Sequence, residues 1–140
     1  MKAERARLAR LQRLERIRDV ARRTALAEAG KAEGTLAQLE ALGQRTRGLV
    51  GDYAARSDAP DAAALQQLHT FVRGLERVVT STDRDIARAR TVADARAAEA
   101  AEAERRRAAV QDRAEDQARR IARLIEAGAT PVAARRNPHG

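Results

Sequence analysis

Side chains capable of covalent or metal chemistry are scarce in this chain of 140 residues. There is no Cys, which excludes disulfides, thiol nucleophiles and zinc-thiolate sites. The two imidazoles are His69, alone in a helical pattern, and His139, in a terminal tail, so neither belongs to a ligand or catalytic grouping. No Gly-rich loop is followed by Lys-Ser or Lys-Thr, as a phosphate cradle would require. Carboxylates are plentiful, but acid and base work needs a concave pocket that desolvates a pair of them, and the elements described below supply none. The expectation is a protein that is not an enzyme and holds no metal or cofactor.

The residue types favour binding by charge instead. Lys and Arg number 28 against 20 Asp and Glu, a net charge of +8. The excess is localised: residues 1–23 hold nine basic side chains and three acids, Arg135 and Arg136 add two more positive charges, and 24–127 is neutral.

Long helices must position these charges. One Phe, one Tyr and no Trp cannot fill a globular core, whereas 44% apolar residues, largely Ala and Leu, interleaved with 34% charged ones typify extended helices. From Leu65 to Leu124 a heptad seam runs without a break through Leu65, Leu68, Val72, Leu75, Val79, Thr82, Ile86, Ala89, Ala93, Arg96, Ala100, Ala103, Arg107, Val110, Ala114, Gln117, Ile121 and Leu124. The first half carries a looser seam through Leu11, Leu14, Arg18, Ala21, Ala25, Glu28, Ala32, Thr35, Leu39, Leu42, Thr46, Leu49 and Tyr53, with Leu8, Ile17, Leu36 and Val50 beside it.

Arg56 to Asp61 combine a helix stop with a restart. Ser57 or Asp58 can cap the second helix, Pro60 suits its first turn and Asp61 complements its positive dipole end. Gly128, followed by Pro131, marks its end. These signals predict an all-α fold, a long antiparallel two-helix coiled coil over 1–128, with helix one at about 3–56, a turn at 57–60, helix two at about 60–127 and a disordered tail over 129–140.

Folding about Ser57 sets Leu65 against Leu49, Val72 against Leu42 and Leu75 against Leu39, with like-charge layers of Arg96 with Arg18 and Arg107 with Arg7 further along. It makes the turn end the better packed one. Residues 114–127 then project past helix one with Ile121 and Leu124 uncovered, either a frayed end or a docking element. Phe71 and Val78, at flanking positions beside the seam, either fold over it or form a second docking patch.

Met1 to Arg10 is charged and lacks an apolar run, and no stretch approaches the length of a membrane span. The expectation is a soluble cytoplasmic protein, peripheral at most to the inner face of the cell membrane. The pI near 11.3 raises the question of nucleic acid. A basic zipper would need a parallel dimer, and aromatic stacking platforms are lacking, so no specific nucleic-acid partner is expected.

Four segments carry a family resemblance: LARLQRLERIR at Leu8–Arg18, LAQLEAL at Leu36–Leu42, LHTFVRGLE at Leu68–Glu76 and AERRR at Ala103–Arg107. Together with the length, the turn position and the basic ends, they make the chain resemble the FliJ-type proteins of the bacterial flagellar export apparatus, related to the stalk proteins of injectisome-type secretion. The resemblance implies a cytoplasmic coiled-coil stalk whose partners are the export ATPase ring, the export gate membrane protein and export chaperones. It implies that Arg7, Arg10, Arg13, Arg16, Arg119, Arg120 and Arg123 meet the ATPase, with Ile121 and Leu124 reaching into the ring. It implies a gate-binding patch at Leu39, Leu42, Phe71 and Leu75. Two other readings stand beside it: a generic structural coiled-coil adaptor, with self-association open, and a basic nucleic-acid-binding architectural protein.

Overall fold

The computed structural model describes residues 1–56 and 58–135, with side chains as far as residue 128. Two helices account for nearly all of it: α1, Lys2–Ala54, and α2, Ala62–Arg135. The fold is all-α, a helical hairpin in which the two helices pack against each other.

The connection is longer than the sequence signals imply. Asp61, and not an earlier residue, caps α2: its Oδ1 accepts a hydrogen bond from the backbone N–H of Ala64 at 2.7 Å, and its carbonyl accepts the first helical bond, from Leu65. Pro60 therefore precedes the cap instead of occupying the first turn. Asp58 is outside the helix, and Ser57 lies outside the described residues. At the other end α2 continues through Gly128 to Arg135. Gly128 does not take the left-handed conformation of a C-cap, and Ala127, Ala129, Ala133 and Ala134 supply the propensity that carries the helix through Pro131. Residues 129–135 of the expected tail are thus helical, and 136–140 lie outside the described residues.

The chain divides into two units: one formed by Met1–Ala25 with the part of α2 from Glu99 onward, the other by Leu26–Ala98. Each is an antiparallel pair of helical segments with a thin core. In the first, Ala100, Val110, Ala114 and Ile121 are buried with Gln117. In the second, Leu36 and Ala93 are buried with Thr46 and Thr82. The expected gain in packing beside the turn is not found, since Leu49, Leu65 and Phe71 there are all exposed.

Every buried residue of α2 lies on the seam read from its heptads. On α1 one half of the seam differs. Leu11, Arg18, Ala25, Ala32, Leu39, Thr46 and Tyr53 face inward as expected, but the alternate positions are Leu8, Glu15, Arg22, Ala29, Leu36, Gly43 and Val50. Leu42 and Leu49 are displaced to the flank, and Ile17 is 64% exposed.

The pairing moves with the frame. Phe71, which the sequence register sets opposite Gly43, stands against Tyr53, with ring centroids 4.9 Å apart in an edge-to-face arrangement. Gly43 lies instead against Thr82 and Ile86, where a Cβ would come within 3.3 Å of the Ile86 Cδ1. The close approach of the helices there leaves little room for a side chain larger than a methyl group.

Candidate docking surfaces

In the first unit Glu4 and Glu15 of α1 reach partners on α2, while Asp19 pairs with Arg22 and Arg23 of its own helix. The Glu4 carboxylate accepts a hydrogen bond from the Gln117 amide at 2.6 Å and lies 3.5 Å from Arg120. Asp19 accepts from Arg22 at 2.9 Å, Arg22 approaches Glu104 at 3.5 Å, and Arg107 donates to Glu104 at 2.6 Å while reaching Glu15 at 4.0 Å. The expected like-charge layer of Arg107 with Arg7 does not form, because the shifted register places Glu15 beside Arg107, which is also bonded to Glu104 of its own helix.

This network favours the ionised form of its carboxylates. The hydrogen bond from Gln117 holds Glu4 below the usual carboxylate range, and those from Arg22 and Arg107 do the same for Asp19 and Glu104. The hydrogen bond from Arg105 likewise lowers Glu102. Arg107 is raised, chiefly by its bond to Glu104.

The three acids among residues 1–23 are half-buried, and Glu15 and Asp19 line a depression with Arg16, Val20 and Arg23 at the border of the outward face of α1. Arg10, Arg13 and Arg16 are exposed there, and Arg13 and Arg16 flank Ile17 and Val20 around a shallow apolar depression of about 450 Å³. On another face Arg7, Arg120 and Arg123 converge with Arg113, Leu11, Asp116 and Gln117 around a cleft of about 330 Å³. The structure therefore splits the arginines singled out in the sequence into two sets. Arg119 is bonded to Asp116.

Of the two apolar residues expected to project, Ile121 is buried at 9% exposure and Leu124 is 42% exposed. The register displacement extends α1 along α2 as far as Glu4 with Gln117, so coverage stops after residue 121 instead of 114. Ile125, not singled out from the sequence, is exposed beside Leu124. Arg113 was missed as well, because its part in the cleft depends on which α1 residues lie opposite it.

In the second unit the expected patch is half seam. Leu39 and Leu75 are half-buried between the helices, while Leu42 and Phe71 are exposed. The two edges of this unit differ in kind. One is tied by ion pairs across the helices, Arg47 to Asp83 at 2.5 Å and Arg90 to Glu40 at 3.4 Å. The other presents Leu42 and Leu49 from α1 with Phe71, Val78 and Val92 from α2, and at its end Arg56 stacks over the Tyr53 ring at 4.1 Å. Leu49 and Val92 escape a reading of single helices, because an edge is defined only by both together.

Among the described residues no cluster of three or more metal-ligating side chains occurs, and no helix is long and apolar enough to cross a membrane. His69 is exposed on α2. What these surfaces offer chemically is multivalent recognition of anionic groups by guanidinium forks, and docking of apolar side chains. No known protein family, curated protein or solved structure matches the chain.

Proposed function

We propose that this chain acts by docking and not by catalysis, as a cytoplasmic coiled-coil stalk of a flagellar-type protein export apparatus. Its partners in this reading are the ring-forming export ATPase, the export gate and export chaperones. The observation that carries the proposal is the segregation of charge in the first unit. Glu4, Glu15 and Asp19 are engaged by Gln117 and Arg120, by Arg107, and by Arg22 and Arg23, which leaves Arg10, Arg13 and Arg16 on one face and Arg7, Arg113 and Arg123 on another for acidic surfaces of a partner.

Leu124 and Ile125 supply an apolar anchor next to the second set, the combination of charged steering and buried aliphatic contact that makes a protein interface specific. Leu42 and Phe71 supply the contact with the gate. A generic spacer has no use for such a distribution of charge.

The purified chain is expected to raise ATP hydrolysis by the cognate export ATPase and to promote its ring assembly. Truncation after Ala122 removes the anchor, keeps the pairing of Gln117 with Glu4, and abolishes stimulation while far-ultraviolet circular dichroism remains helical. A folded full-length chain without effect on the ATPase overturns the proposal. Equal stimulation by the truncated chain overturns the anchor.

A further inference from the structure

A cleft lined by charges of one sign concentrates their field and draws in ions of the opposite sign. In the unit formed by Met1–Ala25 with the part of α2 from Glu99 onward, the cleft of about 330 Å³ is of this kind. Arg113, Arg120 and Arg123 line it from α2 and Arg7 lines it from α1, together with the buried Gln117. The three α2 arginines recur at spacings of seven and three residues, so they share one stripe beside the seam. The carboxylates nearby are already engaged. Asp116, which also lines the cleft, is bonded to Arg119, and Glu4 accepts from Gln117 with Arg120 at 3.5 Å. Among the described residues Arg7, Arg113 and Arg123 form no ion pair. Five guanidiniums, Arg119 included, thus stand against the two carboxylates of Asp116 and Glu4, an excess of three positive charges.

The chemistry of the lining indicates the ligand. Guanidinium forks pair best with planar or tetrahedral oxyanions, carboxylate and phosphate. The volume is at the low end of the range of about 300–1,000 Å³ for small-ligand sites, which suits a compact ligand of high charge density better than a peptide with its backbone and side chains. From Arg113 to Arg123 the helix rises about 15 Å, too far for one tetrahedral group to meet every fork at once. A short run of linked phosphates spreads its charge over that length and carries enough of it to balance the excess. No aromatic side chain lines the cleft, so a nucleotide base would have nothing to stack on, and the phosphates alone would make the contact.

We infer that the cleft between Arg7 of α1 and Arg113, Arg120 and Arg123 of α2 is a binding site for a linear oligophosphate, free or as the phosphate tail of a nucleotide. The inference is independent of the export reading, because it needs no other protein. Oligophosphate in the cleft would compete with an acidic partner surface for the same guanidiniums.

Isothermal titration calorimetry of the full chain with inorganic tripolyphosphate, at about 50 mM salt, tests this without any export partner. The expected result is one site with a Kd of about 10–100 µM, and orthophosphate binding about tenfold or more weaker. Arg113→Gln combined with Arg123→Gln weakens tripolyphosphate about tenfold or more. Arg73→Gln combined with Arg77→Gln removes the same charge from exposed positions of α2 in the other unit and changes the affinity by less than about twofold. Arg123→Gln alone, past the last buried residue Ile121, weakens binding about threefold or more with helicity by circular dichroism unchanged. The source of the phosphates is read from ATP, which binds no more tightly than tripolyphosphate. No binding up to about 1 mM overturns the inference. Equal weakening by the two double variants also overturns it, as the mark of a general attraction to a basic chain. So does tighter binding of ATP or of a hexaglutamate peptide than of tripolyphosphate.

Discussion

The side-chain amide of Gln117 donates to both the carboxylate and the backbone carbonyl of Glu4, at 2.6 and 3.1 Å, so one α2 side chain holds the first turn of α1 at two points. Gln117 is itself buried at 6% exposure. Gln117→Ala removes both bonds and should cost about 1–3 kcal/mol, read as a lower thermal midpoint and faster tryptic cleavage after Arg5 and Arg7. An unchanged cleavage rate at these sites would show that the clamp is not what orders the turn.

Acid should loosen the unit that contains Met1–Ala25. Glu4, Asp19, Glu102 and Glu104 have folded-state pKa values below the ordinary values of 4.5 for Glu and 3.8 for Asp, so their stabilisation is complete above those values. It drains away as pH falls through the depressed folded values. A titration followed by amide exchange should show protection in residues 1–25 falling below about pH 4.5, and Gln117→Ala should shift the onset for the first turn upward.

Arg18 occupies the α1 seam with a buried Nε that has no hydrogen-bond partner. An unsatisfied polar atom of this kind costs about 1–3 kcal/mol, so Arg18→Leu should raise the thermal midpoint by several degrees. A lower midpoint would mean that the guanidinium beyond Nε contributes more than Nε costs.

Two glycines of α1 should respond differently to one methyl group. At Gly48 a Cβ meets nothing within 4 Å, so Gly48→Ala should gain roughly 0.5–1 kcal/mol of helix propensity. At Gly43 the Cβ would lie 3.3 Å from the Ile86 Cδ1, so the gain of Gly43→Ala should be largely cancelled, and Gly43→Leu should destabilise by about 1–3 kcal/mol. Chemical denaturation of the three variants separates the two sites.

The sequence by itself determined that the chain is two long helices, where the break between them falls, and which face of α2 is covered. Its heptads hold Leu, Val, Ile or Ala at most seam positions, and a repeat of 3.5 residues leaves a helix no other face to bury. It also located the excess of charge, which composition alone reveals. It did not determine the frame of α1. There Glu15, Arg22 and Gly43 occupy the seam while Leu42 and Leu49 sit on the flank, so the residues that look like core are edge, and some that look like surface are core.

Only the tertiary structure decided the register, for a physical reason. Layers of Ala against Ala differ little in energy when one helix slides past the other, so the choice falls to contacts that have one solution: the empty Gly43 position beside Thr82 and Ile86, the Tyr53 and Phe71 rings, the clamp of Gln117 on Glu4, and Glu15 beside Arg107. That choice buried Ile121, divided the arginines between two faces and set the apolar residues of two helices along one edge.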